Sequence, residues 1–162
     1  MTGTENHLHV RKIERGIVID HLPAGSALKT LGVLGIDGTY PGTISIMVNA
    51  PSSRYGLKDM IKLEGKELSK QELDRASIAA PYATVNIIRD YAVVEKFRLK
   101  VPNELIGIAR CPNDKCISRR EGTSRFVVES HEPLRCRCAY CEKVYTAAEL
   151  NLPENKTLAS FG

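Results

Sequence analysis

Four cysteines in the C-terminal third of the chain form two closely spaced pairs. Cys111 and Cys116 stand in a C-x4-C pattern, and Cys138 and Cys141 stand in a C-x2-C pattern. Each short spacing lets a turn direct two thiolates at one ion, and folding back the intervening segment joins the pairs into a tetrahedral four-sulfur site. Zinc favours that arrangement, with Zn–S distances near ~2.3 Å. The pattern therefore predicts one zinc ion bound by these four thiolates.

Other uses of the same thiols stay open at this point. An iron–sulfur cluster also takes four thiolates, a single iron ion fits as well, and disulfides are disfavoured in a reducing compartment. Zinc is preferred because no neighbouring feature indicates electron transfer. Cys136 lies two residues before Cys138, so in a strand both side chains point to the same face. We expect Cys136 to be a small buried side chain, with exchange for Cys138 as the alternative.

Four thiolates close the coordination shell, which indicates a structural metal. Catalytic zinc keeps one position open for water and has a base nearby. The one local histidine is His131, which we expect to be a solvated residue of the polar loop 130–132. Metal binding should then contribute directly to the folding of this part of the chain.

Composition narrows the classes of protein that remain. The chain of 162 residues suits one domain or two small ones, and 43% apolar with 26% charged residues is typical of a globular protein. A net charge of +4 with mixed signs and only 6% aromatic residues argues against a nucleic-acid partner. No stretch approaches the ~20 apolar residues of a membrane span, and the N-terminus lacks the apolar core of a signal peptide. We expect a cytoplasmic protein with no membrane partner.

The first hundred residues alternate between strand and helix patterns. Strands are predicted at 15–21, 43–49, 60–64, 83–88 and 91–101, and helices at 26–34 and 69–80. Ser69 and Glu72 form a capping box, and Pro81 ends that helix. The order β-α-β-β-α-β, followed by one more strand, predicts an α+β fold with a ferredoxin-like antiparallel sheet and two helices.

A second, small all-β zinc-binding domain is predicted after Pro102, which suits a boundary because it cannot donate a ladder hydrogen bond. All five cysteines lie beyond it. We therefore expect domains at 1–102 and 103–162, with strands at 125–129, 133–138 and 143–146 and a short helical turn at 147–150. A unit of this size commonly needs a metal to complete its core.

No motif of a catalytic site is present. The chain lacks a phosphate-binding loop, a G-x-S-x-G nucleophile elbow and an H-E-x-x-H helix, so we expect no catalytic residues. Several polar residues instead occupy strand positions, and lysines that converge on one sheet face are able to bind a polyphosphate. Solvated strand positions are the more common explanation of such residues. The set is Asp20, His21, Lys62, Asn86, Tyr91 and Lys96.

Four blocks in the same order give the chain a resemblance to a known family. They are residues 15–24, residues 56–64, residues 80–86 with 91–96, and the cysteine segments 111–117 and 138–143. In these blocks, and over about residues 10–145, the chain resembles the regulatory chain of aspartate carbamoyltransferase.

The resemblance implies a non-catalytic subunit that controls pyrimidine biosynthesis. Its N-terminal domain would bind CTP or ATP as allosteric effectors, CTP lowering and ATP raising activity. Its zinc domain would dock on the aspartate carbamoyltransferase catalytic chain, and homodimers of regulatory chains would link two catalytic trimers.

Carried over residue by residue, the resemblance implies a nucleotide site in the N-terminal domain. Arg11 and Lys12 depart from the pattern, because bacterial relatives have an acidic and a small residue there. The implied contacts are Val10, Arg11, Lys12, Ile13, Val18, Asp20, His21, Lys58, Lys62, Asn86, Ile88, Tyr91, Val93 and Lys96.

Two other hypotheses come from the residues alone. The cysteine pairs, Arg119 with Arg120, and an isoelectric point of 8.8 also suit a zinc-ribbon nucleic-acid-binding protein. An iron-thiolate redox protein is the third hypothesis, and a colourless metal-loaded sample would dismiss it.

Overall fold

The computed structural model describes residues 12–53 and 56–152 and contains two antiparallel sheets. The first sheet comes from the alternating apolar segments of the N-terminal part, with a helix after its first strand and another after its third. Its elements are β1 (Gly16–Pro23), α1 (Ala27–Val33), β2 (Ile44–Ser52), β3 (Gly56–Glu64), α2 (Lys70–Ala79), β4 (Thr84–Arg89) and β5 (Ala92–Arg98).

The strand order β2-β3-β1-β4-β5 has every neighbouring pair antiparallel. The first four strands in this order form the split β-α-β arrangement of a ferredoxin-like fold. Strand β5 continues the sheet beyond β4 as an additional edge. The predicted α+β fold class is confirmed.

Alternation along the strands separates a core face from an open face. Buried side chains of the central strands point toward the helices and pack with Leu31 of α1 and Ala76 of α2. The residues between them therefore point to the other side of the sheet, which we call the open face. The buried strand residues are Ile17, Ile19, Ile61, Leu63 and Val85.

The capping box predicted for α2 is confirmed. The Ser69 hydroxyl accepts a hydrogen bond from the Glu72 backbone N–H at 3.2 Å, and the Glu72 carboxylate accepts one from the Ser69 N–H at 3.1 Å. The helix ends at Ala79, two residues before Pro81. This cap satisfies two N–H groups that the helix itself leaves unpaired.

A fully buried carboxylate, Asp59 of β3, fixes the start of α1 and the bulge in β2. Its oxygens accept hydrogen bonds from the backbone N–H of Ala27 at 2.9 Å and of Asn49 at 3.0 Å. Burial alone would raise the pKa of Asp59, but the N–H donors of Asn49, Ala27, Gly25 and Ser26 hold it below its usual value.

Replacing that charge should destabilise the chain in a pH-dependent way. We expect Asp59→Asn to lower the free energy of unfolding near neutral pH by about 2 kcal/mol or more. The depressed pKa contributes stability that is present above the unfolded-state pKa of ~3.9 and disappears as pH falls through the folded-state pKa. The difference between the variant and the parent, measured by urea unfolding, should therefore shrink below about pH 4. The exposed Glu95→Gln is the control, and an equal loss in both variants would contradict the assignment.

The second sheet has strands β6 (Glu104–Ile106), β7 (Arg125–His131), β8 (Leu134–Cys138) and β9 (Val144–Thr146), in that order. Phe126 is fully buried and meets the Tyr145 ring edge-to-face at 6.4 Å. The sequence predicted β7, β8 and β9 but missed β6, because a strand of three residues is too short to produce an alternating pattern. The short helical turn predicted at 147–150 is present as a hydrogen-bonded turn, in which the Glu149 and Leu150 N–H groups both donate to the Thr146 carbonyl.

The two cores meet at the end of α2. Ile78 of α2 and Val101 of the linker are both buried in the core of the second sheet. His131 is exposed, as predicted, but it ends β7 and does not lie in a loop, and its Nε2 is 3.1 Å from the Val101 carbonyl oxygen. Tyr82 has a left-handed φ of 67° that most side chains avoid, and its side chain hydrogen-bonds Glu132.

Among the described residues, neither helix is long and apolar enough to cross a membrane.

Candidate functional site

Two turns position the four cysteines of the predicted metal site. In the first, the Cys116 N–H donates to the Asn113 carbonyl at 3.0 Å, which curls the chain back toward Cys111. In the second, β8 ends at Cys138 and Glu142 adopts a left-handed φ of 63° while donating its N–H to the Cys138 carbonyl at 2.9 Å. Both turns direct their thiols to the same point.

The sulfur atoms have the spacing of a tetrahedron around one ion. All four Sγ atoms lie within 4.8 Å of one another. Cys111 Sγ lies 3.8 Å from Cys141 Sγ, and Cys116 Sγ lies 3.7 Å from Cys138 Sγ. A tetrahedron with Zn–S bonds of ~2.3 Å has S–S edges of ~3.8 Å. An iron–sulfur cluster places several atoms between its thiolates and needs a wider set, so the geometry favours a single ion.

The four thiols differ in how readily they ionise without metal. Burial raises the pKa of Cys111 to about 12. Burial also acts to raise the pKa of Cys141, but hydrogen bonds from the Lys143 backbone N–H and the Asn113 side chain lower it to about 6. Since metal ligands are thiolates, binding should release protons from the thiols that remain protonated at neutral pH.

Polar neighbours hold the ligand loops in place. The Ser118 hydroxyl lies 3.0 Å from Cys116 Sγ, and the Cys111 thiol donates toward the Tyr145 hydroxyl oxygen at 3.7 Å. Arg119 donates to the Cys111 carbonyl at 3.0 Å and pairs with Asp114 at 3.1 Å. Such partners around the ligands orient them and tune their basicity.

The fifth thiol, Cys136, lies outside this group. It is fully buried in β8, where burial raises its pKa to about 11. This is the small buried side chain that the sequence predicts. Because Cys138 belongs to the sulfur tetrahedron, the geometry does not require an exchange with Cys136.

Substitution of Cys136 and of Cys138 should distinguish a buried side chain from a metal ligand. We expect Cys136→Ala to keep one metal ion per chain and to lose about 1 kcal/mol of stability from its packing. Cys138→Ala should lose the metal, because three thiolates leave the shell open. Metal content per chain by elemental analysis is the measurement, and loss of metal from Cys136→Ala would show that Cys136 is a ligand.

A row of four predicted nucleotide contacts crosses the open face. Val18 on β1 pairs with Lys62 on β3 and with Asn86 on β4, and Asn86 pairs with Lys96 on β5. Three strand spacings of ~4.8 Å put the two lysine Cα atoms about 14 Å apart. The long cationic side chains of Lys62 and Lys96 therefore lie on either side of Val18 and Asn86. The Asn86 side-chain amide donates a hydrogen bond to the Val18 carbonyl at 3.4 Å.

Asp20 and its neighbours extend this row along β1. Lys58 Nζ lies 2.9 Å from Asp20 Oδ1, and both side chains are largely buried. His21 has a left-handed φ of 59°, and its backbone N–H donates to the Asp20 carboxylate at 2.7 Å. The carboxylate is thus held in a fixed orientation at the edge of the open face.

The remaining contacts lie toward the opposite end of β1. Tyr91 sits in the β4–β5 turn with a left-handed φ of 64°, and its N–H donates to the Glu14 carbonyl at 3.0 Å, which ties this turn to the segment before β1. Ile88 pairs with Val93 across the same hairpin. Ile88 and Ile13 are buried, whereas Val93 and Tyr91 are more than half exposed.

Three predicted nucleotide contacts are not placed in this row by the described structure. Lys12 is exposed, and Val10 and Arg11 lie outside the described residues. Conversely, the register adds Ser45 of β2, which pairs with Lys62 and extends the row by one strand. The alternation of Ser45 with Ile44 and Ile46 was a signal in the sequence that could have identified it.

Three of the six arginines between residues 103 and 152 are paired with acids. Arg125 forms a two-pronged ion pair with Glu104 at 3.1 Å, and Arg137 pairs with Glu129. Arg119 is bound to Asp114, whereas Arg120 beside it makes no ion pair within 4 Å among the described residues. The Arg119–Arg120 pair that suggested nucleic-acid binding therefore offers one free guanidinium to a phosphate.

Comparison with known proteins gives matches over both sheets. Residues 8–100 match the family model "Aspartate carbamoyltransferase regulatory chain, allosteric domain", and residues 103–151 match "Aspartate carbamoyltransferase regulatory chain, metal binding domain".

Individual relatives agree with the family models. An aspartate carbamoyltransferase regulatory chain of Thermococcus gammatolerans is 47% identical over 144 residues, which is 88% of this chain and 95% of the relative. The chain of the same name from Thermofilum pendens is 46% identical over 149 residues, 90% of this chain and 94% of the relative. One from Haloarcula marismortui is 46% identical over 146 residues, covering 89% and 92%.

Proposed function

We propose, from the premise that this chain belongs to the family of aspartate carbamoyltransferase regulatory chains, that it senses nucleotides for that enzyme. As a regulatory chain it is a non-catalytic subunit. The observation that carries the nucleotide-sensing role is the row on the open face, with Lys62 and Lys96 at its two ends.

The first part of the proposal is an effector domain at residues 1–102 that binds CTP and ATP. Lysines act as point charges for a triphosphate, and Asn86 between them offers an amide that is able to read a base or ribose edge. Asp20 supplies an acceptor whose direction is fixed by the His21 N–H. Because CTP is a pyrimidine nucleotide, such binding would let pyrimidine supply control the enzyme.

The second part is a docking domain at residues 103–162 built on one zinc ion. The sulfur spacing of 3.7 and 3.8 Å fits zinc. Exposed apolar side chains lie on the ligand turns and beside them, namely Ile117 at 55%, Tyr140 at 46% and Val144 at 37% exposure. Apolar groups left in water around a rigid centre favour contact with a partner, and we assign this surface to the catalytic chain.

The third part is a homodimer of regulatory chains that links two catalytic trimers. Strand β2 is an edge of the first sheet, so one side of its backbone has no strand partner. Ile46 and Val48 on this strand are 40% and 48% exposed. An unprotected edge of this kind favours pairing with another strand, and a second copy of the chain supplies one. We place the assembly in the cytoplasm.

Sedimentation of the zinc-loaded chain with the aspartate carbamoyltransferase catalytic trimer of the same organism tests the assembly. We expect a joint species larger than either component. Ile117→Glu should weaken it, because a charge would then be buried in the interface. Leu28→Glu is the matched control, since Leu28 is 69% exposed and lies on α1, outside the metal-binding part of the chain. Separate boundaries for the unmodified chain and the trimer would overturn the partnership.

A further inference from the structure

A cavity of about 200 Å³ lies on the helix side of the first sheet, opposite the open face. Its floor is formed by side chains of β1, β4 and β5, and the residues at the start of α2 form its roof. The apolar lining consists of Ile17, Val85, Ile87, Ile88 and Phe97 below, and Leu68 and Leu73 above.

The residues that line the cavity leave apolar surface exposed to solvent inside it. Leu68, Leu73, Ile87 and Phe97 are only partly buried, although they pack against a core that is otherwise closed. Covering such surface is favourable, and a concave apolar lining with a few polar groups is typical of a small-molecule site.

The rim of the cavity is cationic. Arg15, Lys66 and Arg89 line it together with one carboxylate, Glu67. Arg15 pairs with Glu67 at 2.6 Å, and Lys66 pairs with Glu72 at 3.0 Å. Arg89 makes no ion pair within 4 Å among the described residues, although it helps Arg15 to lower the pKa of Glu67. Arg89 is therefore the cation most available to a ligand.

A shallow outer depression adjoins this rim and shares Arg15, Glu67 and Arg89 with it. Glu14 and Asp90 line the depression and not the cavity. An anionic group is thus favoured at the mouth of the cavity, beside Arg89, and disfavoured farther out.

We propose that this cavity is a second small-molecule site, which binds a monocarboxylate with a short hydrocarbon body. The hydrocarbon would cover Leu73, Ile87 and Phe97, and the carboxylate would accept hydrogen bonds from Arg89. An apolar cavity of about 150 Å³ holds benzene, so this one suits a body of about six carbons. Hexanoate is the matching probe.

The site differs from the proposed nucleotide site by ligand chemistry. It also differs by position, except at Ile88, which lines the cavity and is an implied nucleotide contact as well. Ile17, Ile87 and Phe97 are sequence neighbours of Val18, Asn86 and Lys96, but alternation puts the two sets on opposite faces of the same strands. The proposal therefore goes beyond the proposed function and does not depend on it.

Titration of the full zinc-loaded chain with hexanoate, without nucleotide, tests the proposal by methyl NMR. We expect saturable shifts of the Leu73 and Ile87 methyl signals. Hexanamide, which has the same body without the charge, should bind about tenfold more weakly. Arg89→Gln should reduce hexanoate affinity to that of hexanamide and leave hexanamide binding unchanged. Arg98→Gln on the same sheet is the matched control and should bind like the parent.

Three results would overturn the proposal. One is the absence of shifts at Leu73 and Ile87 at millimolar hexanoate. Another is equal affinity for hexanoate and hexanamide, which would remove the carboxylate from the assignment. The third is a response confined to Val18 and other residues of the open face, which would mean that the carboxylate binds the lysines there. Since Arg89 is exposed, its substitution leaves the fold intact and keeps the test decisive.

Discussion

Removing the metal is expected to unfold residues 103–152 and to leave the first sheet folded. Cys111, Cys116 and Cys138 are themselves part of the core of the second sheet, together with Phe126 and Leu105. Structural zinc contributes roughly 10–16 kcal/mol to such small units, which is as large as the whole stability of an ordinary domain, roughly 5–15 kcal/mol. The core of the first sheet contains no cysteine and has no comparable dependence.

Amide NMR of the chelated chain distinguishes the two sheets residue by residue. Signals of Val128 and Cys136 should collapse to unfolded positions, while those of Ile19 and Ile61 should stay dispersed. Ile78 and Val101, which bridge the two cores, should shift without becoming unfolded. Restoring zinc should restore the spectrum, and chelator already saturated with zinc is the control. A dispersed second-sheet spectrum without metal would contradict the structural role of the ion.

The sequence carries enough information for the metal site because its ligands are local pairs. C-x4-C and C-x2-C spacings are set by single turns, so the residues themselves indicate which thiols point together. Cys136 lies on β8 together with Cys138, so the spacing favoured Cys138 only through its C-x2-C pair with Cys141, and the sulfur positions were needed to exclude an exchange. The choice of a single ion over a cluster required the S–S distances, which no spacing provides.

The first sheet was predictable for a related reason. Alternation, a capping box at Ser69 and the stop at Pro81 are local signals that agree with the global fold. Strand β6 gave no such signal, because three residues do not establish a period. The register was also inaccessible, since the bulge between Ile87 and Ile88 depends on how β4 meets β5. The row from Lys62 to Lys96 therefore emerged only with the structure.

Contacts between the two cores were the least predictable feature. His131 and Val101 are thirty positions apart, and Tyr82 and Glu132 are fifty apart. His131 and Glu132 taken alone have the character of exposed polar positions, and neither pair produces a periodic pattern. Such contacts arise when two cores form and meet, which is a tertiary event that local propensity does not encode.

The second large effect is expected at the open face. Lys62→Ala combined with Lys96→Ala should weaken CTP binding by at least about 100-fold, because each lysine is proposed to make a charge-assisted hydrogen bond worth roughly 1.5–3 kcal/mol. The affinity should also become less sensitive to salt, since two charge contacts are lost. Calorimetry with the zinc-loaded chain measures both quantities.

A second double variant distinguishes a local loss of CTP binding from an effect of total charge. Lys29 and Lys70 are exposed lysines on α1 and α2, on the other side of the sheet, so Lys29→Ala combined with Lys70→Ala removes the same net charge from the chain. If affinity depends on the total field, both double variants should weaken CTP binding alike. If the row on the open face holds the triphosphate, only the first variant should do so. Unchanged affinity in the first variant would remove Lys62 and Lys96 from the nucleotide site, while leaving membership of the family untouched.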